Sequence, residues 1–445
     1  MPSDATPHSG QSHSSQSHPS QPRATRPSTD SALEASEKVY RQSGFLAFLF
    51  SRLAAVFAMQ IQAVVVAWQV YDITRDPLSL AYVGLAQFLP MVVLLLPAGD
   101  LVDRFDRKRI LQASWTLQAA CSGLLLWLSY TASSDVSGYY AVLALFGCAR
   151  AFTGPTLQSL LPQIVPRAQL AQAIALNSAI MKIAVIGGPL LGGLLYAFGG
   201  SLAYAACLGC FLLALMLLWR VPVRYKREAR PKETTAWKRF TAGIGYIRSK
   251  PIILGVISLD LFAVLLGGVI ALLPIYAQEI LHVGPQGLGA LRSAIAVGAL
   301  LMGVYLGVRA IRRHVGWVMF AAVAVFGVAN LVFALSETFW LSMTALVIAG
   351  AADMISVNIR LTLLQLATPD DMRGRVNAVN MLFIGSSNEL GEFRAGTSAA
   401  WFGVVPAAVI GGVGTLAVVG LWLWGFAPLR RVDRFEEVDP AGTAR

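Results

Sequence analysis

The sequence predicts an all-α integral membrane protein, with twelve transmembrane helices in two pseudo-symmetric six-helix bundles. Composition, continuity and internal repetition carry that expectation. Of 445 residues, 56% are hydrophobic and 13% charged, whereas soluble domains hold about 45–50% and about a quarter. Mean hydropathy is +0.61. A soluble fold of this length has too little interior for so much apolar surface, whereas a bilayer accepts it in continuous stretches of roughly 20 residues.

Residues 1–41 are rich in Ser, Gln, His and Pro and are expected to be a disordered cytoplasmic tail, since they bury too little to offset ordering entropy. His8, His13 and His18 in that tail would bind a metal only weakly, so no metal or other cofactor is expected. Apolar spans follow at 43–71, 78–99, 110–130, 137–160, 170–198 and 201–219, forming a first bundle over 42–220. A second set at 251–281, 288–308, 316–335, 339–364, 376–401 and 404–426 forms a second bundle over 251–427, ahead of a cytoplasmic tail at 428–445.

Between the bundles, 221–250 is a basic linker carrying Arg224, Lys226, Arg227, Arg230, Lys232, Lys238 and Arg239. Its second part places Trp237, Phe240, Ile244 and Ile247 at helical spacing, predicting an amphipathic helix on the inner membrane surface. Loop charges set the orientation. Arg104, Arg107, Lys108, Arg109, Arg167, Arg309, Arg312, Arg313, Arg373 and Arg375 all fall in even-numbered loops, and odd-numbered loops carry little beyond Arg75. The positive-inside rule then puts both termini and the linker in the cytoplasm of a bacterial inner membrane. Topology thus accounts for the net charge of +11, and no nucleic-acid module is visible.

The halves repeat. Pro166 and Asn177 recur as Pro369 and Asn380, each 203 positions later. At the same offset Gly147-Cys148-Ala149-Arg150 lies over Gly350-Ala351-Ala352-Asp353. Duplicated halves mark secondary transporters, with the substrate site between them near the midplane. The four cysteines, Cys121, Cys148, Cys207 and Cys210, sit within apolar spans and read as small packing residues. There is no phosphate-binding glycine loop with its lysine and no nucleophile–base pair, so neither an ATP-driven pump nor an enzyme is expected.

The loop after the second span reads Gly99-Asp100-Leu101-Val102-Asp103-Arg104-Phe105-Asp106-Arg107-Lys108-Arg109. It resembles the G-x-x-x-D-R-x-G-R-K loop of the major facilitator superfamily. Gly99, Asp103, Arg104, Arg107 and Lys108 would form a conformational latch, with Asp103 pairing with arginines or with a helix N-terminus in one state only. The start of the eleventh span, Thr368-Pro369-Asp370-Asp371, has the form of a capping box and is the expected partner. A plain topology anchor is the competing reading. Asp106 stands where the family pattern has glycine and is expected to tolerate a left-handed turn. The D-R-aromatic-D-R-K form is similar to the branch holding siderophore exporters of the enterobactin type. Gly188-Pro189-Leu190-Leu191-Gly192-Gly193 in the fifth span resembles the G-P-x-x-G-G element of the superfamily's proton antiporters; close helix packing explains the same residues.

Charges within the spans are costly and normally face a cavity or a partner. Arg52 and Asp260 lie at similar depths in the first and seventh spans, and Arg150 aligns with Asp353 through the repeat. Each pair is expected either to meet across the central cavity or to be satisfied within its own half. In the eleventh span, Glu389 and Glu392 share a helix face and are candidate proton carriers, with Asp353 as competitor. Arg394 would neutralise one of the two glutamates or leave them free.

The resemblance implies a proton-coupled exporter working as a monomer by alternating access. Its expected substrate is a small molecule such as an anionic siderophore, which would suit Arg52 and Arg150. A multidrug or macrolide efflux pump of the same fold, and more distantly a non-transporting sensor or scaffold, are the alternatives.

Overall fold

The computed structural model describes residues 42, 44–222 and 236–438. The tail at 1–41 with its three histidines, the linker run from Arg224 to Lys232 and residues 439–445 lie outside the described residues. So do the side chains of Asp103, Arg167, Lys238 and Arg239.

The first half contains α1 (Phe45–Thr74), α2 (Pro77–Arg104), α3 (Arg107–Tyr130), α4 (Ser137–Ile164), α5 (Leu170–Ala197) and α6 (Gly200–Trp219). After the linker helix α7 (Ala236–Ser249) come α8 (Pro251–Gly267), α9 (Gly284–Val308), α10 (Val315–Ala334), α11 (Phe339–Leu366), α12 (Asp370–Phe402), α13 (Val404–Gly425) and a single turn, α14 (Ala427–Arg430). Local chemistry sets several starts. Asp76 caps α2, its carboxylate accepting from the Leu78 amide at 2.9 Å ahead of Pro77 at the first helical position. Asp106 caps α3 in the same way, accepting from the Lys108 amide at 2.9 Å. Its backbone is extended, φ −62° and ψ 114°, so the turn needs no left-handed residue and Asp106 serves as a cap instead.

Among the described residues, nine helical stretches are long and apolar enough to cross a membrane. The three long helices below that hydropathy are α3, α4 and α12, and part of their polar content is buried in the bundle, including Ser114, Gln118, Ser122, Thr153 and Asn380. Ser114 donates to the Ala149 carbonyl (2.7 Å), Gln118 to Thr153 Oγ1 (2.9 Å) and Ser122 to Gln62 Oε1 (2.8 Å), joining α3 to α4 and α1. Inside a bilayer such side chains must find partners on neighbouring helices.

The seventh span departs from the continuous helix expected over 251–281. It stops at Gly267, then runs through a 3₁₀ turn (Ile270–Leu272), a short helical turn (Leu273–Ile275) and a π-turn (Tyr276–Ile280). Carbonyls freed by such a break need partners in hydrocarbon. Asn330 donates to Gly267 O at 2.9 Å, and Thr415 adds a bond at 3.1 Å to Ala263 O, still within the helix.

Each half has its own apolar core: Phe48, Trp115, Phe146 and Phe211 in the first, and Ile253, Phe320, Ile359 and Val376 in the second. A third cluster joins the halves, packing Trp68, Tyr71 and Leu80 against Leu272, Tyr276, Leu288 and Ala399. It lies at the face opposite the basic loops. There the Tyr71 hydroxyl donates to Glu279, and Gln278 Nε2 donates to Asp72 Oδ1 at 2.9 Å. The halves are therefore closed on that face.

The linker helix packs on protein more than the surface-helix expectation allows. Ile247 is buried, Tyr246 donates to the Ala367 carbonyl at 2.8 Å, and Gly243 lies against the Arg375 backbone of α12. Trp237 is exposed.

Candidate functional site

Between the halves lies a chamber of about 200 Å³. The first half supplies Gln60, Gln62, Gln87 and Arg150; the second supplies Arg292, Glu389 and Glu392. Arg150 Nη1 stands 3.8 Å from Glu389 Oε1 and donates to Gln87 Oε1 at 3.5 Å. Arg150 on α4 thus connects to α2 in its own half and to α12 across the interface. Arg292 on α9 crosses in the other direction, donating to the Ala63 carbonyl of α1 at 3.3 Å, and its neighbour Ser293 donates to Ile186 O at 2.7 Å. Glu389 and Glu392 share the α12 face that looks onto Gly84 of α2. Two guanidinium groups and two carboxylates therefore meet between the halves, where the low dielectric makes each charge strongly dependent on its partners.

The other intramembrane charges are arranged differently. Arg52 donates to Asn177 Oδ1 at 3.0 Å within the first half. Asp260 is ion-paired with Arg360, both almost fully buried inside the second half. Arg52 and Asp260 do not meet, because each has a partner in its own bundle. Arg150 and Asp353 do not meet either: Arg150 turns to Glu389, and Asp353 lies in the field of Lys182 on α5. Arg394 does not neutralise the glutamates. It donates to the carbonyls of Leu265 (3.3 Å), Leu266 and Gly268 (3.5 Å), serving the backbone where α8 breaks off.

In the loop of basic residues, the Asp103 side chain lies outside the described residues. Lys108 Nζ donates to the carbonyls of Trp219 (3.1 Å) and Val221 (2.7 Å), tying the loop to the end of α6. Arg104 closes α2, Arg107 opens α3, and Gly99 faces a second cavity on this side. The expected capping box at α12 is absent: Pro369 occupies the cap position without a side-chain cap, and Arg373 pairs with Asp370 at 2.6 Å. In α5, Gly188 lies against Gln60, Gly192 against Ile61, and Gly193 against the Pro285 carbonyl of α9, while Pro189 presents its own carbonyl to Gly289. A Cβ on Gly193 would lie 2.2 Å from that oxygen, so this element packs α5 between α1 and the opposite half.

Arg292, Lys182 and Arg360 were not singled out from the sequence. Each is a lone charge in an apolar run, which was the available signal, but at the repeat offset Arg292 faces Leu89 and Lys182 faces Gly385. Symmetry therefore pointed away from them.

A family model described as "Transmembrane secretion effector" matches residues 38–441. The chain is 29% identical over 404 residues to the enterobactin exporter EntS of Citrobacter koseri, covering 89% of this chain and 94% of that protein. It is 28% identical over 410 residues to the enterobactin exporter EntS of Salmonella choleraesuis, covering 90% and 95%. In fold it is similar to a bacterial homologue of the iron transporter ferroportin solved in an inward-facing state. That likeness has a TM-score of 0.66 at 17% identity and covers 87% of this chain and 99% of the other.

Proposed function

Because the chain belongs to the transmembrane secretion effector family of the major facilitator superfamily, as a multi-pass secondary transporter in the branch of the enterobactin exporters, we propose that it exports a siderophore-class chelator in exchange for protons. The observation that carries this reading is the Arg150–Glu389 contact, which joins the two halves inside a chamber that also holds Glu392 and Arg292. The face with the basic loops is cytoplasmic, as are both termini. On this reading the closure around Trp68, Tyr71 and Tyr276 seals the outer face and supports an inward-facing state, with the monomer as the working unit.

Coupling sign narrows the substrate. An anion seated on Arg150 would take the counter-ion from Glu389, so substrate and proton would bind together. Exchange requires that they exclude each other. A neutral chelator whose phenol O–H or amide N–H groups donate to ionised Glu389 and Glu392 meets that requirement, because a proton on either carboxylate removes an acceptor. Substrate loading from the cytoplasm then releases protons there, and protons arriving from the other side displace the substrate outward.

The test is transport of iron-free enterobactin in inverted membrane vesicles with an acid interior. Adding the chelator should dissipate the pH gradient with the wild-type protein and fail to do so with Glu389→Gln. Cells lacking the gene should retain the chelator. Unchanged release from those cells, with altered susceptibility to amphiphilic drugs, would replace this reading with drug efflux.

A further inference from the structure

A second cavity, of about 790 Å³, opens on the cytoplasmic side between α2, α4, α12 and the linker helix α7. Phe88, Met91, Leu95, Met381 and Leu382 give it apolar walls, and Phe240 of α7 stands at its rim. Gln158, Asn377 and Ser386 add hydrogen-bonding groups, and Asp100, Asp371 and Arg375 add charge of both signs toward the cytoplasmic ends of α2 and α12. Ligand pockets for drug-sized molecules span about 300–1,000 Å³. The outer cavity falls within that range, and the inner chamber does not.

The two cavities are stacked along the same three helices. Gln87 of the chamber adjoins Phe88 of the outer cavity; Arg150 is one turn from Gly154, and Glu389 one turn from Gly385. The Gln87–Arg150–Glu389 contact is therefore the wall between them.

Four glycines, Gly99, Gly154, Gly374 and Gly385, line the outer cavity, and a Cβ on any of them would meet no atom within 4 Å. Two turns further in, Gly147 of α4 is pressed against the Gln87 carbonyl, where a Cβ would sit 2.1 Å away. Glycine within a helix costs about 1 kcal/mol relative to alanine. At Gly147 close helix packing accounts for that cost. At the four cavity glycines nothing in the packing does, as is also true of Gly123, Gly209 and Gly420 on open helix surfaces; at the cavity their lack of a side chain leaves the wall open.

We propose that this outer cavity is a loading site, where a neutral aromatic amphiphile rich in hydrogen-bond donors binds before it passes the Arg150–Glu389 wall. The inference rests on the export reading above. Met381, exposed into the cavity, and Phe88 would hold the aromatic body. The donors would face Gln158, Asn377 and Ser386 until the wall opens.

The test is equilibrium binding of iron-free enterobactin to the purified full-length protein in lipid nanodiscs, followed by tryptophan fluorescence and by calorimetry. Gly154→Leu and Gly385→Leu fill the cavity from open wall positions, and Met381→Trp fills it from a side chain already exposed. Gly209→Leu, on an open surface of α6 outside the cavity, is the control. Thermal melting of each variant selects the folded ones. The expected result is roughly a tenfold or greater loss of affinity, about 1.4 kcal/mol, in the three filling variants and none in the control. Wild-type affinity in the folded filling variants would overturn the loading site and leave the export reading intact. That outcome, joined to lost transport, would assign the glycines to closure of the halves. Failure of the wild-type protein itself to bind enterobactin would overturn the export reading and this inference with it.

Discussion

Among the described residues, the arginine–carboxylate pairs Asp260–Arg360 and Arg150–Glu389 lie deep within the membrane-spanning helices, and they differ in what they connect. Asp260 and Arg360 join α8 to α11 inside one half and are sealed from solvent. Arg150 and Glu389 join α4 to α12 across the two halves, at 3.8 Å and beside a cavity. The first pair keeps the same surroundings however the halves move as rigid bodies. The second must change whenever the halves rock against each other. An intramembrane charge is therefore informative about transport only when its partner belongs to the other moving body. The same test separates Arg394, which serves the backbone of its own half, from Arg292, which reaches Ala63 in the opposite one.

The comparison breaks first where its energetic consequence is largest. Asp260→Ala leaves Arg360 buried without a counter-ion and should cost about 3–5 kcal/mol, read as lost folded yield and a lower melting temperature in detergent. Replacing both partners with apolar residues of similar size should recover most of that loss. Glu389→Gln should leave melting nearly unchanged and weaken chelator binding by about 1.5–3 kcal/mol, the range for hydrogen bonds to charged groups. If Glu389→Gln melts as Asp260→Ala does, the two pairs play one structural role and the distinction fails.

Arg394→Leu should orphan the carbonyls at the end of α8, lowering stability by about 1–3 kcal/mol without changing chelator affinity in the folded fraction. An affinity loss at full stability would return Arg394 to the binding site. Asp106→Ala removes the α3 cap and should cost about 1 kcal/mol. Asp106→Asn should restore most of it, because an asparagine side chain caps a helix nearly as well; a melting temperature as low as that of Asp106→Ala would remove the cap role.

Continuity of apolar residues made the helices legible even where average hydropathy is low, as in α3, α4 and α12, because apolar residues still dominate the runs between their polar side chains. The interruption of the seventh span was present as Gly267-Gly268, but hydropathy does not register a backbone break whose carbonyls are served by distant residues such as Asn330 and Arg394. At the site, the three-residue spacing of Glu389 and Glu392 gave their common face directly. The partners were not legible. Depth along a span says nothing of rotation about the helix axis, so it left open whether Arg52 and Asp260 meet or are satisfied within their own halves, and the structure shows the second. Repeat symmetry similarly matched Arg150 with Asp353. The helices that carry them are related by the repeat without being neighbours across the chamber. Asp106, read against a family glycine, proved to be a helix cap, a role that its position one residue before α3 allowed but did not single out.

The central claim is that chelator and proton exclude each other at Glu389 and Glu392. Its most direct test is the affinity of iron-free enterobactin for the purified protein, measured from mildly acidic to neutral pH in wild type and in the Glu389→Gln/Glu392→Gln double variant. The account predicts wild-type affinity that rises as pH rises, and a double variant whose affinity is lower than wild type at neutral pH and does not change with pH, the remaining binding being that of the outer cavity. Affinity independent of pH in the wild type, or an unchanged pH dependence in the double variant, would contradict it.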